Sequence, residues 1–124
     1  VTVLDMLEKS TIRLICLGDG LHSESRGKQR WLSAYLHYKE GNVINEYMSD
    51  EMGEGLSLMT LVMKLKMAFP ENFHFLRGNH ENILNEDENG NHSFGKYVLE
   101  GEMTYDFMVE KYGLEITQLY SEFE

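Results

Sequence analysis

Three side chains capable of metal and proton chemistry follow two apolar stretches of the sequence. Asp19 comes directly after residues 11–17, and Asn79 and His80 come shortly after residues 72–76. A carboxylate can bridge two cations, and an Asn amide oxygen is a neutral ligand for a hard cation. Histidine can donate a proton near physiological pH. If these groups meet, they supply parts of a site for two-metal phosphoryl hydrolysis.

Each of the two runs also has a purely structural interpretation. Gly-Asp-Gly at 18–20 is a turn signal that would leave the carboxylate of Asp19 solvated. Asn79 could cap the start of a helix, with His80 exposed to solvent. The runs taken singly leave both interpretations open.

Further polar residues near these runs could take part in the same chemistry. Arg77 offers a planar fork that suits phosphate oxygens. His22 and Glu24 form a His-x-Glu pair close to Asp19. This pair could be an additional ligand or a contact that orients one, and the alternative is an ordinary polar loop.

The elements that must position these residues alternate between strand and helix. The nearly continuous apolar run at 11–17 predicts a strand covered on both faces, and residues 72–76 predict a second strand. Helical patterns occupy residues 27–38, 50–68, 102–112 and 115–123, and residues 85–91 predict a polar loop. This order predicts an α/β fold with a parallel strand pair. A right-handed crossover would bring the ends of both strands to one edge of the sheet, where α/β proteins bind ligands.

The residues after both strands resemble the signature blocks of a known enzyme family. Gly-Asp-Gly-Leu-His at 18–22 and Leu-Arg-Gly-Asn-His-Glu at 76–81 are similar to blocks of the calcineurin-like metallophosphoesterases, closest to the serine/threonine protein phosphatases. The resemblance implies that residues 1–124 form a single, partial metallophosphoesterase sandwich. It also implies a metallophosphatase that hydrolyses a phosphomonoester by attack of a metal-bound hydroxide. The substrate would be a phosphoprotein or a small phosphoester.

The resemblance also implies roles for individual residues. Asp19 would bridge two divalent ions, which are manganese, iron or zinc in this family, and Asn79 would bind the second ion. His80 would protonate the leaving oxygen, and Arg77 would steady the phosphate.

The sequence departs from the family pattern close to Asp19. The phosphatases usually have Asp-Arg-Gly three residues after the bridging aspartate, whereas His22, Ser23 and Glu24 stand here. The usual phosphate-binding arginine is therefore missing at its place, and Arg26 is the candidate substitute. The two blocks are also further apart than usual, which predicts a helical insertion at about 34–50.

Several metal ligands of the family are missing from the chain. No Asp-x-His precedes Asp19, and the one histidine after Asn82 is His92, which we interpret as a loop residue. Too few ligands remain to fix an ion tightly, so we expect this chain to be a poor catalyst and part of a longer protein. The alternative is a non-catalytic, phosphatase-like scaffold or interaction domain that binds a partner through the insertion.

The amino-acid composition limits which classes of binding partner we expect. The formal net charge of −10 disfavours nucleic acid and anionic membrane surfaces. Bound cations could still attract a phosphate substrate. Cys16 is the only cysteine, which excludes an internal disulfide and favours a cytoplasmic location. A partial domain would leave apolar surface bare, so a homo-oligomer is a further expectation.

Overall fold

Two short parallel strands lead into the two turns that carry the predicted site residues. The structure, a computed structural model, describes residues 1–84 and 93–123. Its elements in chain order are α1 (Val3–Glu8), β1 (Leu14–Cys16), α2 (Lys28–Lys39), α3 (Glu46–Ala68), β2 (Phe73–Phe75), α4 (Glu100–Tyr112) and α5 (Leu114–Phe123), with short 3-10 turns at Ser25–Gly27 and Asn79–Glu81. The predicted loop at 85–91 and His92 lie outside the described residues.

The strand pairing follows the prediction from the sequence. β1 and β2 pair in parallel, with Leu14 opposite Phe73 and Cys16 opposite Phe75. The prediction of an α/β arrangement with a parallel strand pair is therefore confirmed at this coarse level. The full metallophosphoesterase sandwich stays a prediction.

One face of the strand pair is open, which corrects the expectation of a strand covered on both faces. Ile15 is 55% exposed and Leu17 is 78% exposed, whereas Phe73 is buried. Helix α3 packs beside β2, whereas more than half of the Ile15 side chain, on the other face, is exposed. The apolar composition of residues 11–17 was therefore a poor guide to how many faces are covered.

The helices lie within a few residues of their predicted bounds. The largest difference is at α3, which begins at Glu46 instead of 50 because Asn45 caps it. The side-chain oxygen of Asn45 accepts a hydrogen bond from the backbone N–H of Met48 at 2.9 Å. This satisfies one of the unpaired N–H groups of the first turn, so the helix can start four residues earlier.

The segment predicted as an insertion contains the end of α2, a turn and the start of α3. It is not a separate unit in the structure, because Ala34 and Met48 are both buried in the main hydrophobic core. Whether it is an insertion relative to phosphatases stays a prediction. The same core includes Trp31, Met52 and Phe107, so it joins α2, α3 and α4.

A polar contact also ties α2 to α4. The hydroxyl of Tyr38 donates a hydrogen bond to Asp106 at 2.6 Å. That bond and partial burial disfavour the tyrosinate and raise the pKa of Tyr38 to about 12. The hydroxyl therefore stays protonated, and the link between the helices persists, throughout the physiological range.

No helix among residues 1–84 and 93–123 combines the length and apolar character required to cross a membrane.

The burial of Phe107 in the core predicts how much its replacement will destabilise the protein. Phe107 is fully buried, so Phe107→Ala should lower the free energy of unfolding by about 3–5 kcal/mol, through lost burial and a cavity. Leu61→Ala on α3 is the control, because Leu61 is 51% exposed and its loss should cost much less. Urea denaturation followed by circular dichroism measures both. Equal losses in the two variants would contradict the assignment of the core.

Candidate functional site

The turn after β1 presents Asp19 in a left-handed backbone conformation. Gly18 has φ +85° and Asp19 has φ +60°. Asp is among the few non-glycine residues that adopt this region readily. A side chain at Gly18 would collide with the backbone of Gly78, so glycine is also required here for space. The turn is therefore shaped by its close approach to the second motif.

The two motifs meet at the carboxyl ends of the strands. A side chain at Gly78 would overlap Oδ1 of Asp19, and the backbone N–H of His80 donates a hydrogen bond to that same oxygen at 3.3 Å. The turn that carries Asp19 and the turn that carries Asn79 and His80 thus lie side by side. Asp19 and Asn79 are both exposed, so their oxygens are accessible to a solvated ion.

Glu81 holds the two turns together, a role that the sequence analysis missed. Its side chain is fully buried. One carboxylate oxygen accepts hydrogen bonds from the N–H groups of Asp19 and Gly78, both at 2.8 Å. The other accepts from Gly20 at 2.6 Å and from Leu21 at 3.2 Å. Four backbone dipoles thus stabilise one buried negative charge.

A signal for this role was present in the sequence. Glu81 stands three residues after Gly78, which is the spacing at which a glutamate side chain reaches back to the N–H of the cap residue. The bonds to residues 19–21 could not be inferred in the same way, because they join positions about sixty residues apart.

His80 is buried, so the interpretation with an exposed histidine is wrong. Its side chain is 4% exposed, and its ring stacks on Phe94 with 3.7 Å between ring centroids. Nε2 of His80 lies 3.6 Å from a carboxylate oxygen of Glu24. Glu24 also accepts a hydrogen bond from Lys96 at 2.7 Å. This bond lowers the pKa of Glu24, which keeps a negative charge beside His80.

The loop between β1 and α2 is anchored to α3 by another buried carboxylate. Glu51 is 1% exposed and accepts hydrogen bonds at 2.8 Å from both the backbone N–H and the hydroxyl of Ser23. Arg30 forms an ion pair with it at 2.5 Å. Although partial burial opposes its charge, hydrogen bonding to Glu54 and attraction to Glu51 raise the pKa of Arg30. These bonds fix Ser23, and with it the positions of His22 and Glu24.

Both predicted phosphate-binding arginines are engaged within the protein. Arg26 forms an ion pair with Glu54, and Arg77 donates a hydrogen bond to the side-chain oxygen of Asn82 at 2.7 Å. Both arginines are exposed at the surface. The ion pair of Arg26 with Glu54 is exposed, and exposed ion pairs are weak, so a phosphate can compete for the guanidinium of Arg26. The partner of Arg77 is the buried, neutral Asn82.

A small cavity of ≈ 340 Å³ adjoins Asp19. Its walls include His22, Ser23, Arg26 and Glu54, together with the apolar side chain of Leu58. This volume lies at the lower end of the range of small-molecule sites. The cavity thus brings the predicted Asp19, Arg26 and His22 to one opening.

The donors for a metal ion are few. The carboxylate of Asp19 and the amide oxygen of Asn79 suit a hard or borderline divalent cation. In the part of the chain that the structure describes, no three His, Cys, Asp or Glu side chains are grouped so that they could hold an ion. The chemical type of the two donors therefore fits the implied metals, whereas their number falls short of a complete site.

Comparison with known proteins adds no family assignment. No protein-family model, curated protein or solved structure matches the chain.

His22 is buried against aromatic side chains. It is 5% exposed, and neither ring nitrogen has a hydrogen-bond partner among the described residues. The ring meets Trp31 edge-on at 5.1 Å and stacks against Phe94 at 5.7 Å. Burial, with a smaller contribution from the nearby His80, lowers the pKa of His22 to about 3.

Replacement of Glu81 tests how much its four hydrogen bonds, which we call the Glu81 clamp, contribute to stability. Glu81→Gln places an NH₂ group against two backbone N–H donors, so two charge-assisted bonds are lost, each worth about 1.5–3 kcal/mol. We expect the free energy of unfolding to fall by about 3 kcal/mol or more. Urea denaturation measures this, with the exposed Glu110→Gln on α4 as control. A loss no larger than that of the control would show that the clamp contributes nothing.

The lowered pKa of His22 predicts a pH dependence of stability. The folded pKa of about 3 is below the ordinary value of 6.5, so the unfolded chain takes up the proton first. This contribution is complete above pH 6.5 and declines as the pH falls toward 3, by about 1.4 kcal/mol per unit. Between pH 7 and pH 5 the loss is about 2 kcal/mol.

His22→Phe keeps an aromatic ring and removes the titrating group. In urea denaturation at both pH values, the variant should lose about 2 kcal/mol less than the original chain on acidification. Equal acid sensitivity of the two proteins would mean that His22 titrates normally in the folded state.

Proposed function

We propose that this chain carries the central part of a metal-dependent phosphoester hydrolase that resembles the serine/threonine protein phosphatases. The observation that supports the proposal is the contact between the two turns, through Gly18, Gly78 and the Asp19–His80 hydrogen bond. It puts a carboxylate, an amide oxygen and an imidazole at one edge of a parallel strand pair, the usual ligand-binding position of α/β folds.

Asp19 and Asn79 are the residues that would hold divalent ions, with manganese, iron or zinc as candidates. Such ions, when bound, activate a water as the nucleophile and stabilise charge on the phosphate oxygens. The remaining ligands would be waters or residues beyond those described, because two protein donors leave an ion weakly fixed.

His80 is the proton donor of the proposal. Its Nε2 lies 3.6 Å from a carboxylate oxygen of Glu24. The ring is held by Phe94, so the imidazole is oriented before substrate arrives. A proton placed in this way can be passed to the leaving oxygen of a phosphomonoester. Glu24 acts through His80 and is a positioning residue.

Arg77 and Arg26 are the proposed phosphate contacts, each after release from its internal partner. The substrate is a phosphoprotein or a small phosphoester, and the cavity beside Asp19 has room for a small leaving group. A cytoplasmic location and a homo-oligomeric state remain part of the proposal.

A non-catalytic scaffold is the second candidate, and two observations favour it. The described residues contain no complete set of metal ligands, and both arginines already have internal partners. An open apolar groove of ≈ 390 Å³ between α3, α4 and α5 also offers a surface for binding. In this case the turns that carry Asp19 and His80 would have a structural role only.

Hydrolysis of an aryl phosphate separates the two candidates. The full product of the gene should hydrolyse p-nitrophenyl phosphate when manganese is added, and the 124-residue chain should do so poorly. Asp19→Asn keeps the left-handed turn but removes the charge, and His80→Ala removes the proton donor. Each should lower kcat by about 100-fold or more.

His37→Ala is the matched control, because this partly exposed histidine lies on α2 and stacks on Tyr47, outside the proposed site. Turnover that persists unchanged in both site variants would refute the residue roles. A full-length product without manganese-dependent turnover would favour the scaffold.

A further inference from the structure

Helix α5 exposes its apolar residues, which reverses the usual arrangement of a surface helix. Ile116 is 50% exposed, Leu119 is 55% exposed and Phe123 is 37% exposed, whereas Thr117 is fully buried. A helix that packs only within its own chain turns its apolar stripe toward the core and its polar residues outward. Ile116, Leu119 and Phe123 follow one another at spacings of three and four, so they form one stripe along α5. An exposed apolar stripe of this kind marks a surface that contacts another molecule.

The stripe on α5 is one wall of an open groove. The other wall consists of Leu56, Thr60 and Met63 of α3, which also follow one another at spacings of four and three. The buried Met59 and Met108 line the groove between the walls. The groove has a volume of ≈ 390 Å³. Each wall extends over two turns of helix, which is about 11 Å at about 1.5 Å per residue.

The shape of the groove fits one face of a helix. A helix is about 10–12 Å across with its side chains, so a groove of this volume admits the side chains of one face and not the whole helix. Apolar side chains at positions i, i+3 or i+4, and i+7 of a guest helix extend over the same two turns as the walls. An extended peptide would find no strand edge here, because every residue that lines the groove lies on a helix.

The charges beside the groove favour a basic partner. Helix α5 contains Glu115 and Glu122, which are both exposed, and its sequence has no lysine, arginine or histidine. Glu110, near the end of α4, is exposed as well. The exposed bases nearest in sequence to the lining residues are Lys64 on α3 and Lys111 on α4. The acidic side of the groove is therefore the α5 side, and the formal net charge of −10 adds a long-range attraction for cationic partners.

We propose that the groove between α3, α4 and α5 binds a basic amphipathic helix of a partner protein. The apolar side chains of the partner enter the groove, and its lysines or arginines lie along α5, against Glu115 and Glu122. A second copy of this chain is a poorer occupant, because each copy carries a formal charge of −10 and the two would repel one another. Among the described residues, none lines both this groove and the cavity beside Asp19. The inference therefore goes beyond the proposed hydrolase activity and does not depend on it.

Two synthetic peptides test the fit and the charge preference. The first is an amphipathic helix of about 18 residues, long enough to be helical, with leucines on one face and lysines on the other. The second has glutamate in place of every lysine. Fluorescence anisotropy of each labelled peptide with the purified 124-residue chain measures the dissociation constant. We expect the basic peptide to bind below about 100 µM and the acidic peptide at least about 10-fold more weakly.

Substitutions on α5 locate the contact. Ile116→Gln and Leu119→Gln each remove an apolar side chain at an exposed position, so both variants should fold normally, which circular dichroism checks. Each should bind the basic peptide about 10-fold more weakly. Leu36→Gln on α2 is the matched control, because Leu36 is 61% exposed and does not line the groove. Its affinity should be unchanged.

The glutamates of α5 are tested separately from the apolar wall. The double variant Glu115→Gln, Glu122→Gln should lose most of the preference for lysine over glutamate. It should also lose most of the salt dependence of binding, because salt screens exposed charges. A peptide of the same composition as the basic one but in scrambled order should bind at least about 10-fold more weakly, since it has no apolar face.

Four results would overturn the proposal, whatever the outcome of the phosphatase assay. The first is that the basic peptide does not bind. The second is equal affinity for the basic, acidic and scrambled peptides, and the third is an affinity that Leu119→Gln leaves unchanged. The fourth is a dimer in analytical ultracentrifugation that Leu119→Gln dissociates, which would assign the groove to a second copy of the chain.

Discussion

The buried carboxylate of Glu81 is the interaction on which the site depends. Two turns far apart in sequence each present backbone N–H groups inward, and these would repel one another without an acceptor between them. A carboxylate has enough lone pairs to accept from all four donors. The burial of its charge is costly, and convergent backbone dipoles offset that cost. The positions of Asp19, Asn79 and His80 all follow from this arrangement.

The sequence was sufficient for the elements and their order. Two short apolar runs located both strands, and the helical stripes located α2 to α5 within a few residues. The parallel pairing followed from the alternation of strand and helix. The proximity of Asp19 to His80 followed in turn, because the ends of parallel strands share an edge. These are consequences of chain connectivity and periodicity, which a single sequence contains.

The sequence was insufficient to predict side-chain contacts between residues that are far apart along the chain. The stacking of Phe94 on His80 cannot be predicted from a local sequence pattern. The same is true of the hydrogen bond from Lys96 to Glu24. The same holds for Arg26 and Arg77, whose side chains suit a phosphate but pair with Glu54 and Asn82. Exposure of Ile15 was also missed, since residue type alone does not say which face is covered.

The open strand pair has a consequence for how the chain behaves in solution. Within the described residues β1 and β2 are each other's only strand neighbours, so each has an outer edge able to pair with another chain. Mutual repulsion between copies that each carry a formal charge of −10 opposes such stacking. Salt reduces that repulsion beyond about 8 Å at physiological ionic strength. The acidity of the chain therefore acts against edge-to-edge association of its copies.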